Sequence, residues 1–128
     1  MISMDLSTTE RDGKVVVALR GELDIADAAS VAAALAAVAA SQPEMIVDLS
    51  CLDFIDSSGV AALARGRKLA RHAGGDLLLA APQQQVLRVL AVTRLIDVFS
   101  VHASVDEAVG DGQPSRPAAG SPVVLAVP

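Results

Sequence analysis

Between Asp48 and Gly59 the chain reads DLSCLDFIDSSG, and its last four residues, Asp56, Ser57, Ser58 and Gly59, place a carboxylate and two hydroxyls where an apolar stretch gives way to a helical one. Such residues have a structural use, because their side-chain oxygens accept bonds from the unpaired backbone N–H groups of a helix's first turn. They also have a chemical use. A helix N-terminus favours negative charge, so a hydroxyl there can carry a phosphate. Residue chemistry by itself leaves capping and phosphate acceptance both open. Gly59 just inside a helix is costly unless something must approach the backbone closely, which favours a docking site.

Other chemistry has thinner support. A Ser-His-Asp hydrolase needs a histidine to activate its nucleophile. His72 and His102 are the two histidines, neither sits in a recognisable motif, and Ser57-Ser58-Gly59 lacks the Gly-x-Ser-x-Gly elbow. Asp48, Asp53 and Asp56 are the carboxylates nearest to an Mg²⁺ set, but Asp48 falls inside an apolar strand and the other two read as turn and cap residues. Cys51 is the single cysteine, which excludes an internal disulfide, and its apolar setting predicts a small core filler. No Walker-type phosphate loop occurs, and Gly74-Gly75 reads as a helix stop. Arg65, Arg67, Lys68 and Arg71 suit a solvated helix face, with an anionic partner as the alternative. The expectation is a protein with no catalytic residue, no metal and no cofactor.

Composition narrows the partners. The chain has 128 residues, enough for one domain with one core. Phe54 and Phe99 are its only aromatic residues, so a base-stacking platform for single-stranded nucleic acid is not expected. A formal charge of −5 argues against direct nucleic-acid binding and against anionic membranes. No apolar run approaches the roughly 20 residues that span a bilayer, and MISMDLSTTERDG lacks the features of a signal peptide. A cytoplasmic protein without membrane insertion is the expectation.

The elements that must position Ser57 follow from pattern. Leu6–Arg11 and Val15–Gly21 flank Asp12-Gly13, a two-residue hairpin signal, and Gly21-Glu22-Leu23-Asp24 breaks the second run. Asp24 caps a helix that reaches Ala40 and buries Val31, Leu35 and Val38, and Ser41-Gln42-Pro43 stops it. Met45–Leu49 reads as a buried strand. A second helix opens at Ser57 or Ser58 and runs to about Ala73, with Val60, Leu63, Ala70 and Ala73 inward. Asp76–Ala80 is a further strand, Pro82 occupies the first turn of a helix carrying Val86, Val89 and Leu90, and Val98–Val101 makes a last short strand. Ser104 and Glu107 have capping-box spacing for a final helical turn or two. Residues 1–109 thus form the domain, and 110–128, with four prolines and three glycines, form a tail. The order β-β-α-β-α-β-α-β-α predicts an α/β fold: a mixed sheet of about five strands, an opening hairpin followed by β-α crossovers, and helices mainly on one face.

On these residues the sequence resembles a STAS domain, the family of anti-sigma factor antagonists and sulfate-transporter tails. The marks are Gly21-Glu22-Leu23-Asp24 after the second strand, Val47-Asp48-Leu49 in the third, Asp56-Ser57-Ser58-Gly59 opening the second helix and Gly74-Gly75 before Asp76–Leu79, all within Leu6–Val109. The resemblance implies an anti-sigma factor antagonist whose serine after the motif aspartate, here Ser57, is phosphorylated. The implied partners are an ATP-dependent anti-sigma factor that acts as serine kinase and a PP2C-type phosphatase. The unphosphorylated form would bind the anti-sigma factor and free the sigma factor, and phosphorylation would switch that off. Asp24 and Asp56 match acidic positions near the site, and with Ser58 and Gly59 they are the expected partner-binding residues. The alternative is a STAS subunit of a larger assembly, such as a stress-sensing or lipid-transport complex.

Overall fold

The computed structural model describes residues 4–110. Nine elements follow one another: β1 (Met4–Arg11), β2 (Lys14–Leu23), α1 (Ile25–Ser41), β3 (Glu44–Ile55), α2 (Ser57–His72), β4 (Asp76–Ala80), α3 (Gln84–Val92), β5 (Ser100–His102) and α4 (Val105–Gly110). The strands form one sheet in the order β1-β2-β3-β4-β5. β1 and β2 pair antiparallel across Asp12-Gly13, where both turn residues take positive φ, the geometry a tight hairpin needs. Each later strand follows a helical crossover and pairs parallel with its neighbour. The mixed α/β sheet expected from the pattern is the fold observed.

The main core lies on one face, where Leu19, Met45, Val47, Leu77 and Leu79 meet Leu35 of α1, Leu63 of α2 and Leu90 of α3. α1 and α2 approach closely because Gly66 lacks a side chain: a Cβ there would lie 2.9 Å from Leu35 Cδ1. On the opposite face Val16, Ile46 and Leu78 are buried under α4 through Ala108. That helix is the exception to the one-sided arrangement, and a box formed by Ser104 and Glu107 starts it, with the Glu107 N–H donating to Ser104 Oγ.

Several boundaries differ from the pattern. β2 does not stop at Gly21 but continues to Leu23, since Gly21 takes φ +103° and a register shift keeps the strand paired with β3. β3 extends to Ile55 instead of ending at Leu49, with irregularities opposite Ala18–Glu22. Cys51 lies within that irregular strand and is exposed, so it is not a core filler. Pro82 precedes the cap of α3, and the last strand is Ser100–His102. Ala73 is exposed at the end of α2, where Gly75 N–H donates to Ala70 O and closes the helix.

The basic run divides. Arg67 Nε stands 3.1 Å and Arg71 3.4 Å from the carboxylate of Asp76, which is itself buried. Those two arginines tie the end of α2 to β4, whereas Arg65 and Lys68 are exposed. Of the expected tail, Gly110 is the last residue of α4, and residues 111–128 lie outside the described residues.

Candidate functional site

Two helices begin side by side. β2 ends at Leu23 and β3 at Ile55, neighbours in the parallel register, and each hands over to a helix through one aspartate. The Asp56 N–H donates to Leu23 O (3.2 Å), which fixes the two junctions against each other. Asp24 caps α1 by accepting the Ala26 N–H at 3.0 Å, and Asp56 caps α2 by accepting the Gly59 N–H at 3.0 Å. Both N-termini carry the partial positive charge of their helix, and the aspartates offset it.

The two serines are separated by this geometry. Ser58 is half-buried, and its hydroxyl donates to Asp56 Oδ1 at 2.5 Å. Ser57, at the first position of α2, is exposed, and its hydroxyl has no hydrogen-bond partner among the described residues. The Ser58 hydroxyl bond is the largest influence holding the Asp56 carboxyl below its ordinary value of 3.8; partial burial opposes it, and the N–H groups of Gly59, Ser58 and Ile25 reinforce it. Asp56 is therefore ionised at neutral pH, beside an uncommitted hydroxyl. The capping role open to Ser57 from sequence belongs to Asp56.

Gly59 is buried, and what approaches it is the chain itself. A Cβ at that position would lie 2.7 Å from Ile55 Cγ1, 2.8 Å from Leu23 Cγ and 3.0 Å from Leu23 O. Its lack of a side chain lets α2 start against both strand ends. The carboxylates of Asp48 and Asp53 are used locally: Asp48 accepts from the Ser50 N–H, and Asp53 from Gln83. Neither histidine adjoins Ser57: His72 is the last residue of α2 and His102 the last of β5.

Pattern reading missed two residues. Ile25, first in α1, is 77% exposed, and Phe54, two residues before the cap of α2, is 45% exposed. Apolar periodicity assigns such residues to a core, and their exposure appears only once the two junctions are placed together.

Because Asp56 is held below 3.8, the sign of its pH dependence is fixed. The folded state releases this proton more readily than the unfolded state, so the cap stabilises above the unfolded value and is lost as pH falls through the folded one. Asp56→Ala is expected to cost about 0.5–2 kcal/mol near neutrality. The difference in Tm from the parent should shrink as pH is lowered below about 4. A difference independent of pH would exclude a charged cap.

The structural frame has known relatives. The chain matches the STAS domain over residues 5–108. It is 29% identical over 106 residues to BtrV of Bordetella bronchiseptica, named as a candidate anti-sigma factor antagonist, covering 82% of this chain and 91% of that one. The crystal structure of an anti-sigma factor antagonist from Mycobacterium paratuberculosis aligns with a TM-score of 0.76 at 28% identity, over 84% of this chain and 92% of that one. The Bacillus cell fate determinant SpoIIAA, solved in its phosphorylated form, aligns at 0.62 and 26% identity, over 85% and 100% respectively. The family match runs from β1 into α4 and includes both capped junctions, and this chain belongs to the STAS domain family.

Proposed function

We propose that this protein is an anti-sigma factor antagonist, switched by phosphorylation of Ser57. The observation that carries the proposal is the difference between adjacent hydroxyls: Ser58 is committed to Asp56, and Ser57 is exposed and uncommitted at the start of α2. The names of the relatives support it, as does the phosphorylated form in which one of them was solved. In the unphosphorylated state the surface around Ser57, Asp24 and Asp56 docks on an anti-sigma factor, with Ile25 and Phe54 supplying apolar area at its margin. That partner is an ATP-dependent serine kinase, and a PP2C-type phosphatase reverses its action. The protein itself works by binding, without catalysis, in the cytoplasm.

The switch follows from charge. Phosphorylation adds about −1.5 to −2 at neutral pH. The N-terminus of α2 accommodates that charge, so the fold persists. A partner fitted to a neutral hydroxyl next to the ionised Asp56 meets repulsion and a desolvation cost. Incubation with the partner kinase and Mg-ATP is expected to place one phosphate on Ser57. Mass spectrometry that locates it on Ser58 would overturn the assignment.

A further inference from the structure

α3 begins without the cap its sequence position calls for. Gln83 occupies the N-cap, yet its side chain makes no capping bond, where Ser, Thr, Asp or Asn would hold a free backbone N–H. The Gln83 amide is turned the other way. Its Nε2 donates to Ser50 O at 3.1 Å and to Asp53 Oδ1 at 3.2 Å. Gln85 joins it, with Nε2 donating to Asp53 O at 3.1 Å and to Gln83 Oε1 at 2.9 Å.

The acceptors lie where β3 most needs support. β4 pairs with β3 only as far as Asp48↔Ala80, so the stretch from Leu49 to Ile55 has no strand on that side. On its other side the register slips twice against β2, leaving Leu49, Ser50 and Asp53 without a partner in the pairing. Extra residues in a strand leave ladder groups unpaired and loosen the chain locally. The carbonyls of two of these, Ser50 and Asp53, are held by the glutamine amides. The loop delivering them is itself constrained, with Ala81 at φ +55° and its N–H bonded to His102 O. Three residues beyond Asp53 stands Asp56, and then Ser57.

We infer that Gln83 and Gln85 are positioning residues, a brace from the β4–α3 loop that fixes the irregular end of β3 and thereby the placement of Asp56 and Ser57. A helix cap is given up for it, a local preference overruled by a longer-range contact. Because the bonds are exposed, water competes for the same carbonyls and the effect on global stability is small. The gain is order at one strand end. The link to Ser57 phosphorylation rests on the function proposed above, whereas the brace itself does not.

Gln83→Ser separates the two roles, since it supplies a cap to α3 and removes the Gln83 half of the brace. Tm is expected to stay level or rise, while amide exchange at residues 52–56 quickens by about tenfold, the order expected when one or two exposed hydrogen bonds are lost. Gln85→Met, which keeps the side-chain length and removes the donor, should quicken the same amides without supplying a cap. Phosphorylation of Ser57 by the partner kinase should lose efficiency in both variants, mainly through KM. Unchanged exchange at residues 52–56 in both variants would overturn the brace. Faster exchange with an unchanged KM would overturn its role in positioning Ser57. Faster exchange in a protein whose parent form no kinase phosphorylates would uphold the brace and reject the proposed switch.

Discussion

Ser57→Asp is expected to bind the anti-sigma factor at least about tenfold more weakly than Ser57→Ala, since like charges brought together at an interface cost several kcal/mol and tenfold corresponds to about 1.4 kcal/mol. The aspartate adds a carboxylate one residue from Asp56, which is held ionised by the Ser58 hydroxyl and the neighbouring N–H groups. Ser57→Ala keeps the neutral surface and removes only the acceptor. Phosphoserine carries closer to two charges than one, so the modified protein should bind more weakly than the aspartate variant. Titration calorimetry measures the three affinities, and circular dichroism checks that all remain folded. Equal affinities for the alanine and aspartate variants would exclude a charge-based switch.

Leu35→Ala should lower stability by about 2–5 kcal/mol, the range for truncating a fully enclosed leucine. Leu35 has no exposed surface and stands where Gly66 lets α2 close on α1, so the vacated volume has little freedom to collapse. Ser57→Ala should change stability by less than about 0.5 kcal/mol, as befits an exposed side chain, because Asp56 and not Ser57 caps α2. Urea denaturation of the two variants measures both. Losses of similar size would mean that Ser57 belongs to the scaffold and would undo the separation of scaffold from switch.

Much of this was legible in the sequence. Alternation in Val15–Leu19, the helix-forming run from Asp24 and the Asp12-Gly13 turn fix the first three elements, because strand and helix periods and turn geometry are local properties. Asp24 and the cluster Asp56–Gly59 announced both helix starts for the same reason. The order of elements then left few sheet topologies to choose from.

Tertiary structure decided the rest. Local pattern ended β3 at Leu49 because Ser50, Cys51 and Asp53 break the apolar alternation; the strand continues because β2 follows it through two shifts of register. Arg67 and Arg71 looked like solvent-facing charge until β4 brought the buried Asp76 beneath them. Gly59 suggested a partner's approach, but the close contacts come from Leu23 and Ile55, the former distant in sequence. The serines posed the sharpest case. Sequence offered two hydroxyls as cap or acceptor, and only folding assigned the cap to Asp56, tied Ser58 to it and left Ser57 open. A residue's type sets which bonds it can make, but the choice among them depends on which groups the fold brings within about 3 Å.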